Sequence, residues 1–237
     1  MENYKSTQNE FNISILNSIS SVDKETWNNL ILDEKPLMDY EFFLAMEKSN
    51  CTSKLNGWEP FHFLVKKNNI IVGIIPNFKK LNSNGEYVFD HSWADAYHRF
   101  GINYYPKFLS AIPFTPINGI RFFFSSKLTI NEKNKIIISL IKKIEENQVE
   151  TFHINFINHD QSNYLKDFNF MQRIGIQYHW SNNNYNSFSD FLSMLKSKKK
   201  KNIIKERNFI QNLDIKISLL KGSEIKKEDW DFFYHCY

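Results

Sequence analysis

The chain has 237 residues, of which 42% are hydrophobic, and a formal net charge of +4. This length and apolar share exclude a disordered chain and allow one or two domains with a buried core. The charge is too weak to indicate a nucleic-acid-binding protein, and the two distant cysteines exclude a Cys-x-x-Cys metal or redox motif.

The first half of the chain predicts paired strands and two short helices. Alternating apolar residues predict a strand at 11–19. Asp23 is placed to cap a helix that runs to Leu32 and is broken by Pro36, and a second helix is expected at 40–48. Further strands are expected at 61–67, 70–81, 85–89 and 121–125, the first two joined as a hairpin by a turn at Asn68 and Asn69.

The second half predicts longer helices. A helix at 130–147 carries Ile137, Leu140, Ile141 and Ile144 on one face. The pattern then predicts a strand at 151–157, a helix at 159–168, a strand at 171–180, a long helix at 187–211 and a strand at 215–220. Hairpins among alternating strands and helices favour a mixed α/β fold over a doubly wound parallel sheet.

Two features concern the ends of the chain. The first twelve residues are polar and predict no signal peptide, and no run of about 18 apolar residues predicts a transmembrane helix. The two distant cysteines, Cys51 and Cys236, lead us to expect a reduced, cytoplasmic protein. The last residues begin an amphipathic pattern at Trp230, Phe233, Tyr234 and Tyr237 with no stop signal after it, so we expect a fragment of a longer protein.

Residues 85–108, GEYVFDHSWADAYHRFGINYYPKF, concentrate ionisable groups among aromatic rings. Two interpretations stay open. In the first, the strand brings Asp90 to its end, Asp90, Trp93 and Tyr97 share one helix face, and His98 is a base tuned by a carboxylate. In the second, an Asp or Ser caps a surface helix and the tyrosines line its rim. The Pro-containing segments at 104–107 and 113–116 fit either a pocket wall or a rigid connector.

A second candidate group ends the strand predicted at 171–180. Gln177 and His179 would share one face there, with Tyr178 and Trp180 on the other. His179 could then line the same cavity as the first segment. A histidine with a purely structural role fits the pattern as well.

The strongest charge signal is KSKKKKNIIKER at 196–207. At 100° per residue, Lys199 and Glu206 interrupt an apolar stripe of the predicted helix. A buried charge must be paired or must bind a ligand, because desolvation is expensive. The alternatives are that both side chains are exposed on a solvated face or belong to a weak phosphate-binding patch.

Several catalytic motifs are missing. The sequence contains no GxxxxGK[ST], GxGxxG, GxSxG or HExxH pattern and no cluster of metal-ligand spacing. A P-loop NTPase, a nicotinamide-dependent oxidoreductase, a serine hydrolase and a zinc enzyme are therefore not indicated.

Six separated motifs resemble a bacterial family of N-acyltransferases, often described as peptidoglycan biosynthesis or recognition proteins. The motifs occur in the family's order from about Leu37 onward: YEFFLAMEKS, GWEPFHF, the 85–108 segment, PFTPINGIRF, QYHW and KSKKKKNIIKER. The family is placed in the GNAT superfamily, near the FemAB-like aminoacyltransferases. The resemblance implies an α+β, GNAT-like fold, with a GNAT-like domain at 1–180 and, at 181–237, a long basic helix and the start of a truncated second GNAT-like half.

The resemblance also implies a reaction. An amine, such as that of a cell-wall precursor, attacks an acyl-CoA thioester or an aminoacyl-tRNA ester, without a metal. The Gln/Arg-x-x-Gly-x-Gly/Ala loop of acetyl-CoA enzymes is not evident, so both donors stay open. The implied base or amine-binding residues are Asp90, Asp95 and His98. The implied contacts to donor phosphates or an acidic acceptor are Arg99, Lys199 and Arg207. The implied pocket wall consists of Trp93, Tyr97, Tyr104, Tyr105 and Trp180.

Two other functions are retained. One is a non-catalytic GNAT-like module that binds a glycopeptide or RNA without turnover. The other is nucleic-acid binding through the lysines at 198–201, which predicts a steep salt dependence of affinity. Consumption of a thioester or tRNA ester separates the enzyme from the binding module.

Overall fold

The computed structural model describes residues 10–31 and 37–237. Contacts divide the chain into one compact unit that ends at Ile174 and a second that runs from Gly175 to Tyr237. The domain boundary expected between residues 180 and 181 stays a prediction. Residues 1–9, Leu32 and Pro36, which entered the sequence predictions, lie outside the described residues.

The first unit contains two four-stranded sheets. Its strands are β1 (Phe11–Leu16), β2 (Trp58–Pro60), β3 (His62–Lys67), β4 (Ile70–Ile75), β5 (Phe78–Lys80), β6 (Lys107–Ser110), β7 (Phe123–Phe124) and β8 (Phe152–Ile154). One sheet has the order β1-β3-β4-β7 and the other β2-β5-β6-β8. All neighbours pair antiparallel except β6 and β8, which are parallel.

Among its described residues, the first unit also contains five α-helices. They are α1 (Lys24–Ile31), α2 (Tyr40–Lys48), α3 (His91–Arg99), α4 (Ile130–Glu146) and α5 (His159–Lys166), with a short 3-10 helix at Ile19–Ser21. Of these, α1, α2, α4 and α5 begin where the sequence predicts. Asp23 Oδ2 accepts from the Thr26 N–H at 2.9 Å, which confirms the predicted cap of α1. Thr129 and Glu132 form a capping box on α4, whose buried face includes Ile137, Leu140 and Ile144 as predicted.

The strand predicted at 70–81 is two strands in different sheets. The hairpin of β3 and β4 is confirmed, and Asn68 and Asn69 have the positive φ angles its turn requires. At Pro76 the chain leaves this sheet, because proline has no N–H to donate to a ladder. Asn77 donates its N–H to His62 Nδ1 at 3.1 Å instead, and β5 then joins the second sheet.

Three predicted strands and one helix are wrong. Residues 85–89, 171–180 and 215–220 form no strand. Gly85 and Tyr87 have φ angles of 75° and 56°, which a strand excludes, and the other two segments are exposed and pair with no ladder. The helix predicted at 187–211 is interrupted before Ser197, where Lys196 has a ψ of 138°. The Ser193 hydroxyl donates to the Asp190 carbonyl just before this break, in competition with the backbone.

The second unit is helical. It contains α6 (Phe188–Ser193), α7 (Ser197–Gln211) and α8 (Lys227–Cys236), with a short 3-10 helix at Gly222–Glu224. Within residues 10–31 and 37–237, every helix is too short or too polar to traverse a lipid bilayer. The mixed α/β fold class predicted from the sequence is confirmed.

The second sheet is buried on both faces, which positions the site. Leu109 packs in an apolar cluster with Trp27, Phe43, Trp58 and Phe78. The adjacent Phe108 packs in another cluster, with Phe63, Ile75, Ile137 and Leu140. Because successive residues of a strand point to opposite faces, polar residues on this sheet are buried unless they lie near its rim.

Candidate functional site

Two lysines lie directly opposite each other inside this sheet. Lys80 on β5 pairs with Lys107 on β6, so both side chains project from the same face, and both are fully buried. Leu109, two residues along β6, pairs with His153 on β8, which places His153 on that face too. Two buried ammonium groups side by side require acidic partners.

Lys107 has an acceptor for each of its three N–H bonds. Its Nζ donates to Glu86 Oε2 at 2.9 Å, to Ser83 Oγ at 3.0 Å and to Asp90 Oδ2 at 2.5 Å. Glu86 and Asp90 are 3% and 1% exposed. The ion pairs are therefore desolvated, and their charge-assisted hydrogen bonds are strong.

Lys80 is held less completely. Its Nζ donates to the Asn84 carbonyl at 3.1 Å, lies 3.6 Å from the centre of the Trp58 ring and is 3.9 Å from Glu86 Oε1. Burial lowers the pKa of Lys80 to about 7, against the opposing attraction of Glu86. Burial also raises the pKa of Glu86. Burial thus disfavours the charged form of both groups, and their mutual attraction opposes this effect.

Asp90, Tyr104 and His153 form a hydrogen-bonded chain. The Tyr104 hydroxyl donates to Asp90 Oδ2 at 2.7 Å and lies 3.3 Å from His153 Nε2. Because that hydroxyl already donates to Asp90, its oxygen accepts from Nε2–H, which leaves Nδ1 of His153 as an acceptor. Tyr104 is 4% exposed and His153 is half-buried, so His153 is the end of the chain nearer to solvent.

The surroundings set the protonation states of this chain. Burial alone would raise the pKa of Asp90, but hydrogen bonds from Lys107 and Tyr104 outweigh it and lower the pKa to about 2. Burial and the Asp90 charge raise the pKa of Tyr104. Burial, with the Lys107 charge, lowers the pKa of His153 to about 4. At pH 7 the chain is thus carboxylate, phenol and neutral imidazole.

The loop at 85–90 explains why Asp90 points inward. The positive φ angles of Gly85 and Tyr87 turn Glu86 into the core and leave Tyr87 58% exposed. Asp90 occupies the N-cap position of α3, yet its side chain makes no capping hydrogen bond there. Its carboxylate bonds Lys107 and Tyr104 instead, so Asp90 is not the surface cap of the second interpretation.

The structure brings four of the predicted site residues together. The Tyr104 ring contacts the rings of Tyr97 and Tyr105, with centroids 5.3 and 5.0 Å apart. The Tyr105 hydroxyl lies 2.6 Å from Ser83 Oγ, which itself accepts from Lys107. Asp90 joins them through the Tyr104 hydroxyl.

The other predicted residues of α3 lie on its outer side. Asp95, His98 and Arg99 are exposed. Trp93 is 41% exposed, and the guanidinium of Arg173 lies 5.8 Å from the centre of its ring. The catalytic roles of Asp95 and His98 and the binding role of Arg99 stay predictions.

Four predicted residues belong to the second unit. His179 Nε2 lies 3.3 Å from Gln177 Oε1, although the strand on which the two residues were expected to share a face does not form. Trp180 packs on Tyr185 and Phe191, and Arg207 lies over the Phe188 ring. Lys199 and Glu206 are both exposed, as in the alternative in which they lie on a solvated face of the basic helix. The binding roles of His179, Trp180, Lys199 and Arg207 stay predictions.

Five residues of the network were not among the predicted site residues: Lys80, Ser83, Glu86, Lys107 and His153. The signal for His153 was available, because it occupies a strand position among apolar neighbours in TFHINFI. Nothing local distinguishes Lys80 or Lys107 from the many surface lysines of the chain. The described residues contain no group of three His, Cys, Asp or Glu side chains arranged to hold a metal ion.

Comparison with solved structures found acetyltransferases. An aminoglycoside N-acetyltransferase AAC(6')-Iy, solved with CoA, is 10% identical, with 74% of this chain and 97% of that chain covered and a TM-score of 0.44. The 6'-N-acetyltransferase AAC(6')-IG from Acinetobacter haemolyticus is also 10% identical, with coverages of 72% and 98% and a TM-score of 0.41. An aminoglycoside acetyltransferase from an uncultured soil metagenomic sample, solved with sisomicin, is 16% identical, with coverages of 73% and 98% and a TM-score of 0.39.

The family assignment rests on a sequence model and not on those structures, whose TM-scores are all below 0.5. No curated protein matched the chain. The model of the FemAB-like family, described as peptidoglycan biosynthesis/recognition, matches residues 18–237. This match covers nearly the whole chain and confirms the resemblance seen in its motifs. The chain therefore belongs to the FemAB-like family of peptidoglycan biosynthesis and recognition proteins.

Proposed function

We propose that this protein is a cytoplasmic N-acyltransferase. It transfers an acyl or aminoacyl group from a CoA thioester or a tRNA ester to an amine, and the family description favours a cell-wall precursor as the acceptor. The observation that carries the proposal is the hydrogen-bonded chain from Asp90 through Tyr104 to the half-buried His153. The reaction needs a group that accepts a proton from the amine, and the neutral imidazole of His153, at the end of these hydrogen bonds, is our candidate.

His153 has the protonation state that the reaction needs. Its pKa of about 4 leaves the imidazole neutral at pH 7, and the bond from Nε2 to Tyr104 leaves Nδ1 free to accept a proton. When an amine nitrogen attacks the acyl carbon it becomes positively charged, and its proton then becomes acidic enough for a weak base. The Asp90 carboxylate stabilises the imidazolium that forms, through the Tyr104 hydroxyl.

Atoms and charges balance along this route. A C–N bond forms between the amine and the acyl carbon, and the C–S bond of the thioester, or the C–O bond of the tRNA ester, breaks. The proton lost by the amine passes to His153 and then to the departing thiolate or ribose oxygen. The products are an amide and a free thiol or hydroxyl, and no covalent enzyme intermediate is required.

Arg173 is our candidate for an anionic part of the substrates. Its charge contributes to the low pKa of His153, so the two side chains interact electrostatically. Arg173 is exposed, donates to the Phe89 carbonyl at 3.2 Å and lies over Trp93, one of the predicted wall residues. A phosphate of the donor or an acidic group of the acceptor fits this arrangement. Arg99, Lys199 and Arg207 are proposed for the same purpose.

The test is product formation by this chain. Acyl-CoA or aminoacyl-tRNA is mixed with the protein and a panel of amines that includes muropeptides, and free thiol or deacylated tRNA is measured together with the amide by mass spectrometry. We expect amine-dependent release with at least one donor. The proposal is overturned if neither donor is consumed while the folded protein still binds an acceptor.

A non-catalytic binding module is the second candidate, and one observation favours it. All three N–H bonds of Lys107 are satisfied and Asp90 is 1% exposed, as in a network that only holds a fold together. A module of this kind binds a glycopeptide or an RNA in the absence of any donor and releases no thiol. Calorimetric titration with muropeptides and with tRNA, alongside the assay above, separates the two functions.

A further inference from the structure

The buried carboxylate of Asp90 is oriented through one oxygen only. Oδ2 accepts from Lys107 Nζ and from the Tyr104 hydroxyl, whereas Oδ1 has no hydrogen-bond partner among the described residues. The carboxylate does not cap α3 either. If Lys107 were removed, the carboxylate would lose its ion pair and would keep hydrogen bonds only from the neutral hydroxyls of Tyr104 and Ser83. A carboxylate without its cation is less strongly held and can rotate more easily.

Rotation of Asp90 would change the hydrogen bonding of His153 through the Tyr104 hydroxyl. The rings of Tyr97 and Tyr105 pack on Tyr104 and fix its plane, but they do not choose the direction of its hydroxyl hydrogen. The bond to Asp90 makes that choice, and it leaves the Tyr104 oxygen to accept from His153 Nε2. The tautomer of His153 therefore depends on where Asp90 points.

Lys107 also has an alternative, purely structural reason to exist. It neutralises Glu86 and Asp90 in a site that burial makes unfavourable for charge. Lys80 contributes to neutralising Glu86, because its Nζ lies 3.9 Å from Glu86 Oε1. Lys80 forms no ion pair with Asp90. The two lysines therefore differ in that Lys107, and not Lys80, forms an ion pair with Asp90. Variants at the two positions can separate the positioning of Asp90 from charge balance.

We propose that Lys107 is a positioning residue for the acyl transfer proposed above: its ammonium fixes Asp90, and through Tyr104 it fixes His153 in the tautomer that leaves Nδ1 open to the amine. The proposal rests on the proposed function for its kinetic consequence. Its structural consequence, the state of His153, can be measured without turnover.

Two double variants test this proposal, and each of them removes one positive and one negative side chain. Lys107→Met/Glu86→Gln removes one cation and one anion and breaks the hold on Asp90. Lys80→Met/Glu86→Gln also removes one of each but leaves Lys107, Asp90, Tyr104 and His153 intact. Both variants are first compared with the wild type by circular dichroism and thermal unfolding, so that only folded proteins are compared further.

The first measurement is the ¹⁵N spectrum of the His153 ring, assigned with a His153→Gln control. We expect one tautomer, protonated at Nε2, in the wild type and in Lys80→Met/Glu86→Gln, and a mixture in Lys107→Met/Glu86→Gln. The second is steady-state kinetics, in which we expect kcat of the Lys107 variant to be about tenfold or more below that of the Lys80 variant, with the same KM for the donor in both. The acidic limb of its pH–rate profile should also move to higher pH, because Asp90 loses the ammonium that keeps it ionised.

Each outcome has one meaning. An unchanged tautomer in the Lys107 variant overturns the positioning role, whatever the activity. Equal losses in both double variants overturn it as well, since charge balance then explains them. A tautomer change in a protein that consumes no donor supports the positioning of His153 and counts against the acyl-transfer function. If Lys107→Met/Glu86→Gln does not fold, Lys107→Gln in the same background replaces it, because the shorter amide does not reach Asp90.

Discussion

The 85–108 segment divides into a buried half, Glu86, Asp90 and Tyr104, and an exposed half, Asp95, His98 and Arg99. Both halves contain ionisable residues, but only the first removes them from water. Glu86 and Asp90 are buried and paired with Lys107, and Tyr104 joins them. A few residues away, Asp95, His98 and Arg99 stand on the outer face of α3 in water. A carboxylate in the first group has a shifted pKa and a fixed orientation, whereas one in water is free to rotate. Clustering of ionisable residues in the sequence therefore identifies a region, and burial decides which of those residues can do chemistry.

The largest expected effect comes from breaking the buried half. Lys107→Met leaves Glu86 and Asp90 without their shared cation, and removing one partner of a buried pair costs about 3–5 kcal/mol of unfolding free energy. Urea unfolding followed by tryptophan fluorescence measures it. Lys79→Met is the matched control, since Lys79 lies on the opposite face of β5, and it should cost less than about 1 kcal/mol. Equal losses in the two variants would contradict the comparison.

The next effect is a pH dependence of stability that arises from His153, which interacts with Tyr104 of the buried half. The pKa of His153 is about 4 in the folded protein, against about 6.5 for an unperturbed histidine. Between these values the unfolded state binds more protons, so stability falls as the pH falls from about 6.5 to about 4, by up to about 3 kcal/mol. Above pH 6.5 this contribution is constant.

The measurement is urea unfolding at several pH values between 4 and 7. The His153→Gln variant should show a shallower fall in stability over that window than the wild type, because it lacks the titrating ring. Parallel curves for the two proteins would show that His153 is not the group responsible.

Turnover is expected to depend on the same histidine. His153→Gln removes the proton acceptor and should lower kcat by about 10²-fold, the lower end of the range for general acid–base catalysis. His159→Gln is the control, since His159 lies exposed on α5. If both variants keep wild-type turnover in the thiol-release assay, the proton acceptor is another group, and Asp95 and His98 become the leading candidates.

The smallest effects are expected on the exposed half. Asp95→Asn and His98→Ala should change the unfolding free energy by less than about 0.5 kcal/mol, because neither side chain is buried. We expect a smaller loss of turnover than in His153→Gln. A loss as large as that of His153→Gln in a fully stable protein would show that the exposed face contacts the substrates, and would restore the catalytic roles predicted for these two residues.

The local elements of the fold followed from the sequence. The helices α2, α4 and α5 begin and end close to the predicted positions, since caps such as Thr129 with Glu132 and the spacing of apolar residues along α4 are local properties. The predicted strands were less reliable. Residues 171–180 and 215–220 alternate suitably, but a strand also needs a neighbour to pair with, and no local pattern supplies one.

The candidate site divides in the same way. Asp90, Tyr104 and Tyr105 were identifiable because ionisable and amphipathic residues crowd one segment. Lys80 and Lys107 were not, since nothing local distinguishes them from surface lysines. His153 stands out within its own strand, but its place beside Lys107 does not follow from the sequence, because the two residues are 46 positions apart.

The amino-acid pattern alone was enough to predict the mixed α/β class, the position of the main helices, the region of the candidate site and the family. The meeting of Lys80, Lys107 and His153 on one face of one sheet, and the inward turn of Asp90, became visible only in the folded chain. This is because the pairing of strands that are distant in sequence sets which side chains share a desolvated space. A desolvated carboxylate such as Asp90 must be held by hydrogen bonds and can therefore orient a histidine through Tyr104, whereas an exposed carboxylate such as Asp95 is solvated by water.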